Sequence, residues 1–226
     1  MKKNLQGLKI KIFLFFVLAL IVTGLMLFLP AGTIKYWQAW VFMGVLFIPV
    51  IFVMLYLLKN DPGLLERRMR FKEKEAEQKT IIKIASLIFF IGFLIPGLDH
   101  RFGWSNVPVP IVISADVIIF LGYLSVFFVF KENSYTSRTV EVDRKQKVIT
   151  TGPYSIIRHP MYAGMISMFI CIPLALGSYW ALLFFIPVII LILLRTLNEE
   201  KVLLRDLKGY KKYCKKVRYR LIPGIW

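Results

Sequence analysis

The chain has 226 residues, 58% of them hydrophobic, with a mean hydropathy of +0.66 and a formal net charge of +17 at pH 7. Soluble domains are about 45–50% apolar, so this composition excludes an ordinary soluble enzyme and indicates an integral membrane protein. Nucleic-acid binding would need a soluble basic face, and the sequence has no domain to carry one, so we expect no nucleic-acid partner.

Apolar segments long enough to cross a bilayer, which takes about 20 residues, recur along the chain. They are predicted at residues 12–29, 37–58, 80–98, 109–130 and 161–194. The last block is too long for one helix, and Gly177-Ser178 at its middle predicts a tight hairpin of two helices. We therefore expect an all-α polytopic membrane protein with about six transmembrane helices, of which spans five and six form a C-terminal hairpin.

The positions of Lys and Arg predict the orientation, because cytoplasmic loops of membrane proteins carry an excess of them. Four precede the first span, seven lie in the loop at 59–79, six in the loop at 131–160 and ten in the tail from residue 195. The short connecting loops hold one each, and the hairpin turn holds none. We therefore predict a multi-pass protein of the cell membrane with both termini in the cytoplasm. This topology and anionic lipid headgroups account for the net charge.

A single membrane domain, residues 1–226, is expected, with four N-terminal spans in 1–130 and a cofactor-binding catalytic region in 131–226. The loop at 59–79 reads either as a short interfacial helix after a turn at Pro62-Gly63 or as a solvated connector. In the second region, Gly152-Pro153 breaks the chain before YSIIRHPMYAG. Pro160 suits the first turn of a helix, so we place the entrance to span five there.

The tail after span six predicts an amphipathic helix that lies on the membrane surface or against the other loops. Asn198 would cap this helix, with Glu199 and Glu200 in its first turn. The apolar positions that recur at helical spacing are Val202, Leu203, Leu207, Tyr210, Tyr213 and Val217.

The hairpin brings two distant polar segments to one face of the membrane. His159 lies nineteen residues before the turn at about residue 178, and Glu199 lies twenty-one residues after it. Because antiparallel helices of similar length return to the same side, we expect Arg158-His159 beside Glu199-Glu200 at the cytoplasmic face. Tyr162 belongs to the same pocket, as does Gly164, where another group can approach closely.

Each of these side chains also has an ordinary explanation. Basic residues anchor helix ends in the headgroup region, and the two glutamates could pair with Lys201 or Arg205. The convergence of the whole set beside a Gly-Pro break is what favours a binding site.

The residue types narrow the class of site. No metal is expected, because this side of the membrane has one His, and Cys171 and Cys214 form no ligand pattern. A hydrolase would need a G-x-S-x-G elbow, and a transporter would need more acidic residues inside its spans than Asp116. A soluble cofactor at the cytoplasmic mouth fits better, since carboxylates suit an ammonium or ribose hydroxyls, and Arg and His suit a carboxylate or phosphate.

The stretches TGPYSIIRHPMYAGM and LNEEKVLLRDLKGYKKYCKKVRYRLIPGIW resemble the isoprenylcysteine carboxyl methyltransferase and phospholipid methyltransferase family. The resemblance covers about residues 131–226 and rests on an R-H-P-x-Y-x-G element, a Glu pair, G-x-x-Y-x-x-Y and a closing Arg-hydrophobic-Pro element. The family often has Val-Pro-Arg before that closing element, where this chain reads KVRYRLIP. The matching residues are Arg158, His159, Pro160, Tyr162, Gly164, Glu199, Glu200, Gly209, Tyr210, Tyr213, Arg220 and Pro223.

The resemblance implies an integral-membrane methyltransferase that uses S-adenosylmethionine without the Rossmann-like fold of soluble enzymes. It implies that Glu199 or Glu200 binds the amino or ribose end of the cofactor, and that Tyr162 and the backbone around His159 hold the rest. The residues expected at the cofactor are Gly152, Pro153, Tyr154, Arg158, His159, Pro160, Tyr162, Gly164, Glu199 and Glu200.

Arg195, His159 and Glu200 are the expected catalytic residues. The sulfonium is already an activated methyl donor, so positioning supplies most of the acceleration. An ammonium acceptor would first lose a proton to His159 or a glutamate, whereas a carboxylate or thiolate needs no base. Arg195 would orient an anionic acceptor, or it anchors the helix end. The expected partners are membrane lipids and a lipophilic small-molecule or lipid-anchored substrate, such as a prenylcysteine-type carboxylate, a lipid amine or a thiol.

Two other functions stay open. Sterol reductases resemble this family in their C-terminal helices and carry a related R-x-x-x-Y-x-G element, but they use NADPH and need groups for its 2′-phosphate. The intact R-H-P and the Glu pair favour the sulfonium cofactor instead. A non-catalytic membrane scaffold would keep the pocket shape without binding a cofactor.

Overall fold

A computed structural model describes residues 2–69, 75–140, 142–143 and 146–226, and in these residues every regular element is helical. A 3₁₀ turn, Gly152–Ser155, precedes the sixth of the α-helices. The α-helices of the described residues are α1 (Lys2–Ala31), α2 (Trp37–Asn60), α3 (Pro62–Arg68), α4 (Ala76–Phe102), α5 (Val109–Glu132), α6 (Pro160–Ala175), α7 (Leu182–Asp206) and α8 (Tyr210–Lys216).

Five of these helices, α1, α2, α4, α5 and α7, are long and apolar enough to cross a membrane. This confirms the prediction of an all-helical, multi-pass protein, and each of the first four predicted spans lies within an observed helix. The apolar helix α6 has 16 residues, fewer than the roughly 20 that span the hydrocarbon core. A sixth span therefore stays a prediction.

The six apolar helices form a closed ring, and α2 and α6 also contact each other. The order around the ring is α1, α4, α7, α6, α5, α2 and back to α1. One hydrophobic core draws residues from all of them, among them Leu27, Phe42, Phe93, Ile119 and Phe185. The outer surface carries many exposed large apolar side chains, which is the surface that a bilayer covers. The ring therefore turns one apolar face inward and another toward lipid.

The carboxylate of Asp99, in the last turn of α4, fastens the loops at one end of the bundle. It accepts hydrogen bonds from the backbone N–H and the hydroxyl of Ser105, both at 2.7 Å, and from the hydroxyl of Ser178 at 2.5 Å. Tyr36, before α2, donates to the carbonyl of Leu176 at 2.5 Å. These bonds hold the turn between α6 and α7, and so they fix the start of α7 relative to α4.

The loop after α2 contains a packed helix rather than a solvated connector. Asp61 caps α3 by accepting from the backbone N–H of Leu64 at 2.8 Å, and Pro62 occupies the first turn, where proline is tolerated. Leu64 and Leu65 are buried against Ile12 and Leu57. The helix thus begins where the sequence predicts a turn, and residues 70–74 of the predicted interfacial segment lie outside the described residues.

The predicted helix start at Asn198 is wrong. Helix α7 continues through Asn198 to Asp206, because no glycine or proline interrupts it there. The break comes at Gly209, whose φ of +91° is a left-handed conformation that suits glycine. The predicted amphipathic helix is therefore split between the end of α7 and the short α8, whose Tyr210 and Tyr213 are buried.

The substitution Gly97→Ala tests how closely α4 approaches α1. A Cβ there would lie 2.5 Å from the carbonyl oxygen of Leu27 and 3.1 Å from the backbone nitrogen of Ala31. Because backbone atoms cannot swing aside, we expect Gly97→Ala to lower the free energy of unfolding by roughly 1–3 kcal/mol, measured by SDS titration in mixed micelles. Gly44→Ala in α2, where a Cβ meets nothing within 4 Å, is the control. Equal effects of both substitutions would contradict the close packing.

Candidate active site

A buried ion-pair cluster around Glu200 joins the two polar segments that the sequence predicts to converge. Arg158 Nε donates to Glu200 Oε1 at 2.7 Å across 42 residues of sequence, and Arg220 Nε donates to Oε2 at 2.6 Å. Glu200 is 5% exposed and Arg158 is 7% exposed. His159 Nε2 lies 3.7 Å from Glu200 Oε1. Both carboxylate oxygens of Glu200 thus have a guanidinium partner.

The same arginine holds the tail of the chain over the site. Arg158 Nη1 donates to the carbonyls of Val217 at 2.9 Å and Arg218 at 2.6 Å, and the backbone N–H of Arg158 donates to the carbonyl of Tyr219 at 2.9 Å. Residues 217–220 therefore run beside the entrance to α6. The groups of the tail that accept these bonds are backbone carbonyls, which every residue type has. The contacts therefore do not depend on the Val-Pro-Arg sequence that this chain lacks.

Glu199 and Glu200 face different surroundings because successive residues on an α-helix point about 100° apart. Glu199 Oε2 accepts from the hydroxyl of Tyr162 at 2.5 Å, and Arg195 Nε donates to the same hydroxyl oxygen at 3.1 Å. Arg195 Nη1 also donates to Gln78 Oε1 at 2.9 Å. Tyr162 thus bridges a carboxylate and a guanidinium that lie one turn apart on α7.

These groups border a cavity of about 710 Å³, which is within the range of about 300–1,000 Å³ usual for ligand sites. One part of its wall is polar and aromatic, and it includes Tyr154, His159, Glu199, Tyr210 and Tyr213. Another part is apolar and comes from helices of the ring. Its members on α1 and α4 include Ala19, Val22, Met26, Ile82, Phe89 and Phe93.

Three tyrosines are linked to the polar part of the wall: Tyr210 and Tyr213 are buried, and Tyr154 is half-buried. Tyr154 Oη accepts from Asn133 Nδ2 at 2.9 Å, and Tyr213 Oη donates to the carbonyl of Tyr154 at 2.7 Å. Tyr210 Oη lies 3.5 Å from His159 Nε2. Burial raises the pKa of Tyr154, Tyr210 and Tyr213, so their phenols stay protonated at neutral pH. They offer the cavity neutral hydroxyls and aromatic faces.

The predicted site residues fall in four places. Glu200 stands behind the wall, between its two arginines. Gly164 packs against α5, where a Cβ would lie 3.2 Å from the carbonyl oxygen of Gly122, and Gly152 and Pro153 border a separate groove. Cofactor contacts of these four predicted residues therefore stay predictions. On the cavity wall lie Tyr154, Arg158, His159, Pro160, Tyr162, Arg195 and Glu199.

Two arginines on the cavity wall were not among the predicted residues. Arg68 comes from α3 and Arg138 from the loop after α5. Gln78, which is 1% exposed and bonded to Arg195, was missed as well. The only signal for the arginines was the basic character of their loops, which the positive-inside rule already explains. Nothing in the sequence distinguishes Gln78.

Comparison with known proteins matches one segment of the chain to a family. Residues 111–209 match the family described as phospholipid methyltransferase, a segment that contains α5, the 3₁₀ turn, α6 and α7. No curated protein matches the chain. Arg68, the apolar residues of α1 and α4, and the tail from Tyr210 lie outside the matched segment.

Replacing Arg158 by lysine tests whether its guanidinium anchors the tail. A lysine keeps the charge but is a single point donor, whereas the arginine binds Glu200 and two carbonyls together. We expect amide hydrogen exchange in residues 217–226 of Arg158→Lys to accelerate by roughly tenfold or more.

Arg205→Lys is the matched control for this substitution. Arg205 pairs with Glu75 on the surface, where its side chain is 62% exposed, and such pairs contribute little. Exchange in the tail should not change in this variant. Identical exchange in Arg158→Lys and in the unsubstituted protein would contradict the anchoring role.

Proposed function

We propose that the chain is a membrane methyltransferase that transfers a methyl group from S-adenosylmethionine to a lipophilic acceptor, because residues 111–209 match the phospholipid methyltransferase family and five helices are long and apolar enough to cross a membrane. The observation that carries this proposal is one cavity that joins a carboxylate and buried tyrosines to an apolar wall. The concentration of Lys and Arg in the loops at the site's end of the bundle supports a cytoplasmic position for the cavity mouth and for both termini.

The polar part of the cavity fits the charges of this cofactor. S-adenosylmethionine carries an ammonium, a sulfonium and an adenine ring. Glu199 is the one acidic residue among the described residues of the wall, and a carboxylate suits the ammonium. The aromatic faces of Tyr154, Tyr210 and Tyr213 suit a cation or a planar base. We propose that these residues, with Tyr162 and the backbone at His159, hold the cofactor.

The cofactor would supply a methyl group bound to a positively charged sulfur. When the methyl group is transferred, the sulfur departs as a neutral thioether, so this departure needs no acid. The protein's task is then to position the acceptor and exclude water, which the apolar wall favours. Arg195 and Glu199 fix the hydroxyl of Tyr162 from two sides. Glu200 contributes by holding Arg158, and with it the tail and the entrance to α6.

His159 is the residue best placed to accept a proton from an ammonium acceptor. It borders the cavity, and its Nε2 lies 3.7 Å from Glu200 Oε1. A carboxylate or thiolate acceptor carries no proton that has to be removed, so the reaction would then need no base.

A second candidate is an NADPH-dependent reductase, which one observation favours. Arg68 and Arg138 on the wall are groups of the kind that hold a 2′-phosphate. The proposal above therefore has to be tested against this nucleotide as well.

The test is calorimetric titration of the detergent-purified protein with S-adenosylhomocysteine and, separately, with NADPH. We expect saturable binding of S-adenosylhomocysteine, and Glu199→Gln should weaken it by roughly tenfold or more because the ammonium loses its charged partner. Glu66→Gln removes an exposed carboxylate from α3 and should have no effect. Binding of NADPH alone would replace the methyltransferase proposal by the reductase. If neither ligand binds, the remaining interpretation is a non-catalytic membrane scaffold.

A further inference from the structure

Residues 219–226 form a hydrogen-bonded turn at the site's end of the bundle. The carbonyl oxygen of Trp226 accepts from the backbone N–H groups of Arg220 at 2.9 Å, Leu221 at 3.0 Å and Ile222 at 3.2 Å. The N–H of Trp226 donates to the carbonyl of Ile222 at 3.1 Å. Gly224 has a φ of +82°, a left-handed conformation that suits glycine. The backbone of the turn therefore closes on itself, which fixes the direction of its side chains.

The turn is bonded to the entrance of α6. The carbonyl of Tyr219 accepts from the backbone N–H of Arg158, and the carbonyl of Arg220 accepts from that of His159, both at 2.9 Å. Helix α6 begins at the next residue, Pro160. The turn is therefore held at the level where this apolar helix starts.

Two side chains of the turn pack against the apolar helices. Leu221 is buried in a cluster with Tyr162 of α6 and Ile192 of α7, and Trp226 packs against the same cluster. Ile192 lies three residues before Arg195, where the apolar run of α7 ends. Helix α7 is long and apolar enough to cross a membrane. The turn thus lies beside the bundle near the border between lipid headgroups and acyl chains.

Two isoleucines project outward from this turn. Ile222 is 51% exposed and Ile225 is 78% exposed, although their neighbours Leu221 and Trp226 pack inward. The two residues between the isoleucines are exposed as well. A single exposed aliphatic side chain is ordinary on a protein surface. Here two of them stand on one closed turn at the level of the membrane border, where lipid can remove their surface from water.

Helix α8 leaves this contact with lipid to the turn. Its apolar side chains pack against the loop after α5, in a cluster that includes Tyr210, Tyr213, Val142 and Val148. A run of basic residues attracts phosphates at a membrane surface, which draws the turn toward the lipid. Exposed basic residues stand on the other side of α8 and just beyond it: Lys211, Lys212, Lys215, Lys216 and Arg218.

Trp226 has the chemistry of an interfacial residue. Its ring centre lies 5.3 Å from the guanidinium of Arg220, and the side chain is half-buried. Tryptophan is enriched at both membrane–water interfaces. The four other tryptophans lie in loops or helix starts at the opposite end of the bundle: Trp37, Trp40, Trp104 and Trp180.

We propose that residues 219–226 are a membrane anchor whose Ile222 and Ile225 insert among the acyl chains of the leaflet at the site's end of the bundle. The lipid then adds to the hold on Arg220, which donates to Glu200 at 2.6 Å. It also holds the backbone at the entrance to α6, so the bilayer helps to keep the buried ion-pair cluster assembled. This contact with lipid is independent of the proposed function, because it exists whichever ligand the cavity binds.

The first measurement places an environment-sensitive fluorophore on the turn. Cys214→Ala removes the half-buried thiol, and the buried Cys171 is kept. Ile225→Cys is added and labelled with a nitrobenzoxadiazole reagent, and the protein is placed in nanodiscs of phosphatidylcholine and phosphatidylglycerol. The protein without Ile225→Cys measures any labelling of Cys171.

Lys208→Cys is the matched control for the label. Lys208 is exposed and follows the end of α7, which extends about 18 Å beyond the apolar run of that helix. We expect the label at residue 225 to emit at a shorter wavelength than the label at residue 208. Lipids with a nitroxide near the top of the acyl chain should quench it roughly threefold or more strongly.

The second measurement removes the two apolar side chains together. Ile222→Asn with Ile225→Asn loses little packing within the protein, because both side chains are exposed. The lost contact with lipid should nevertheless accelerate amide hydrogen exchange of residues 217–226 in nanodiscs by roughly threefold or more. Leu204→Asn is the control, since Leu204 is 48% exposed on the part of α7 beyond its apolar run. Exchange in the tail should not change in this control.

Three results would overturn this anchor. Equal emission and equal quenching at residues 225 and 208 would place the turn in water. Emission at a shorter wavelength at residue 225 without quenching by the nitroxide lipids would assign the isoleucines to a protein partner, such as a second copy of the chain. Unchanged exchange in the double isoleucine variant would show that lipid does not hold the tail.

Discussion

The pairing of Glu200 with Arg158 and Arg220 sets the position of everything else at the site. One carboxylate connects the end of α7, the entrance to α6 and the tail, which are far apart in sequence. Taking charges out of water is costly, and the cost is offset only when each charged group keeps close partners. Any shift of one segment would leave a buried guanidinium or carboxylate unpaired, so the three segments hold one arrangement.

Glu200 binds Arg158 and Arg220 behind the wall, whereas Glu199 borders the cavity. The two adjacent glutamates have different surroundings because successive residues on an α-helix point about 100° apart. Residues of the family-matched segment supply Glu199, Tyr162, His159 and Arg195. Arg68 and the apolar walls of α1 and α4 come from the part of the chain outside that match.

Much of the fold could be predicted because membrane spans obey a local rule of length and apolarity. The first four predicted spans lie within observed helices, and counting residues on both sides of Gly177 was enough to predict that Arg158 and Glu200 meet. The helix start at Asn198 was wrong because a capping residue acts only where the preceding helix has ended. Gly164 was predicted to allow a close approach, and a neighbour that approaches it is α5.

The sequence by itself determined that the chain is a helical membrane protein, which residues carry the family motif, and that Arg158-His159 and Glu199-Glu200 converge. These follow from hydropathy, charge asymmetry and fixed spacing, which are properties of neighbouring residues. Only the tertiary structure decided that Glu199 rather than Glu200 borders the cavity, that Arg68 and Arg138 border it as Arg195 does, and that Gln78 binds Arg195. Those residues come from α3, α4, the loop after α5 and α7. The order of the helices around the ring brings them together, and this order cannot be predicted from the periodicity of the sequence.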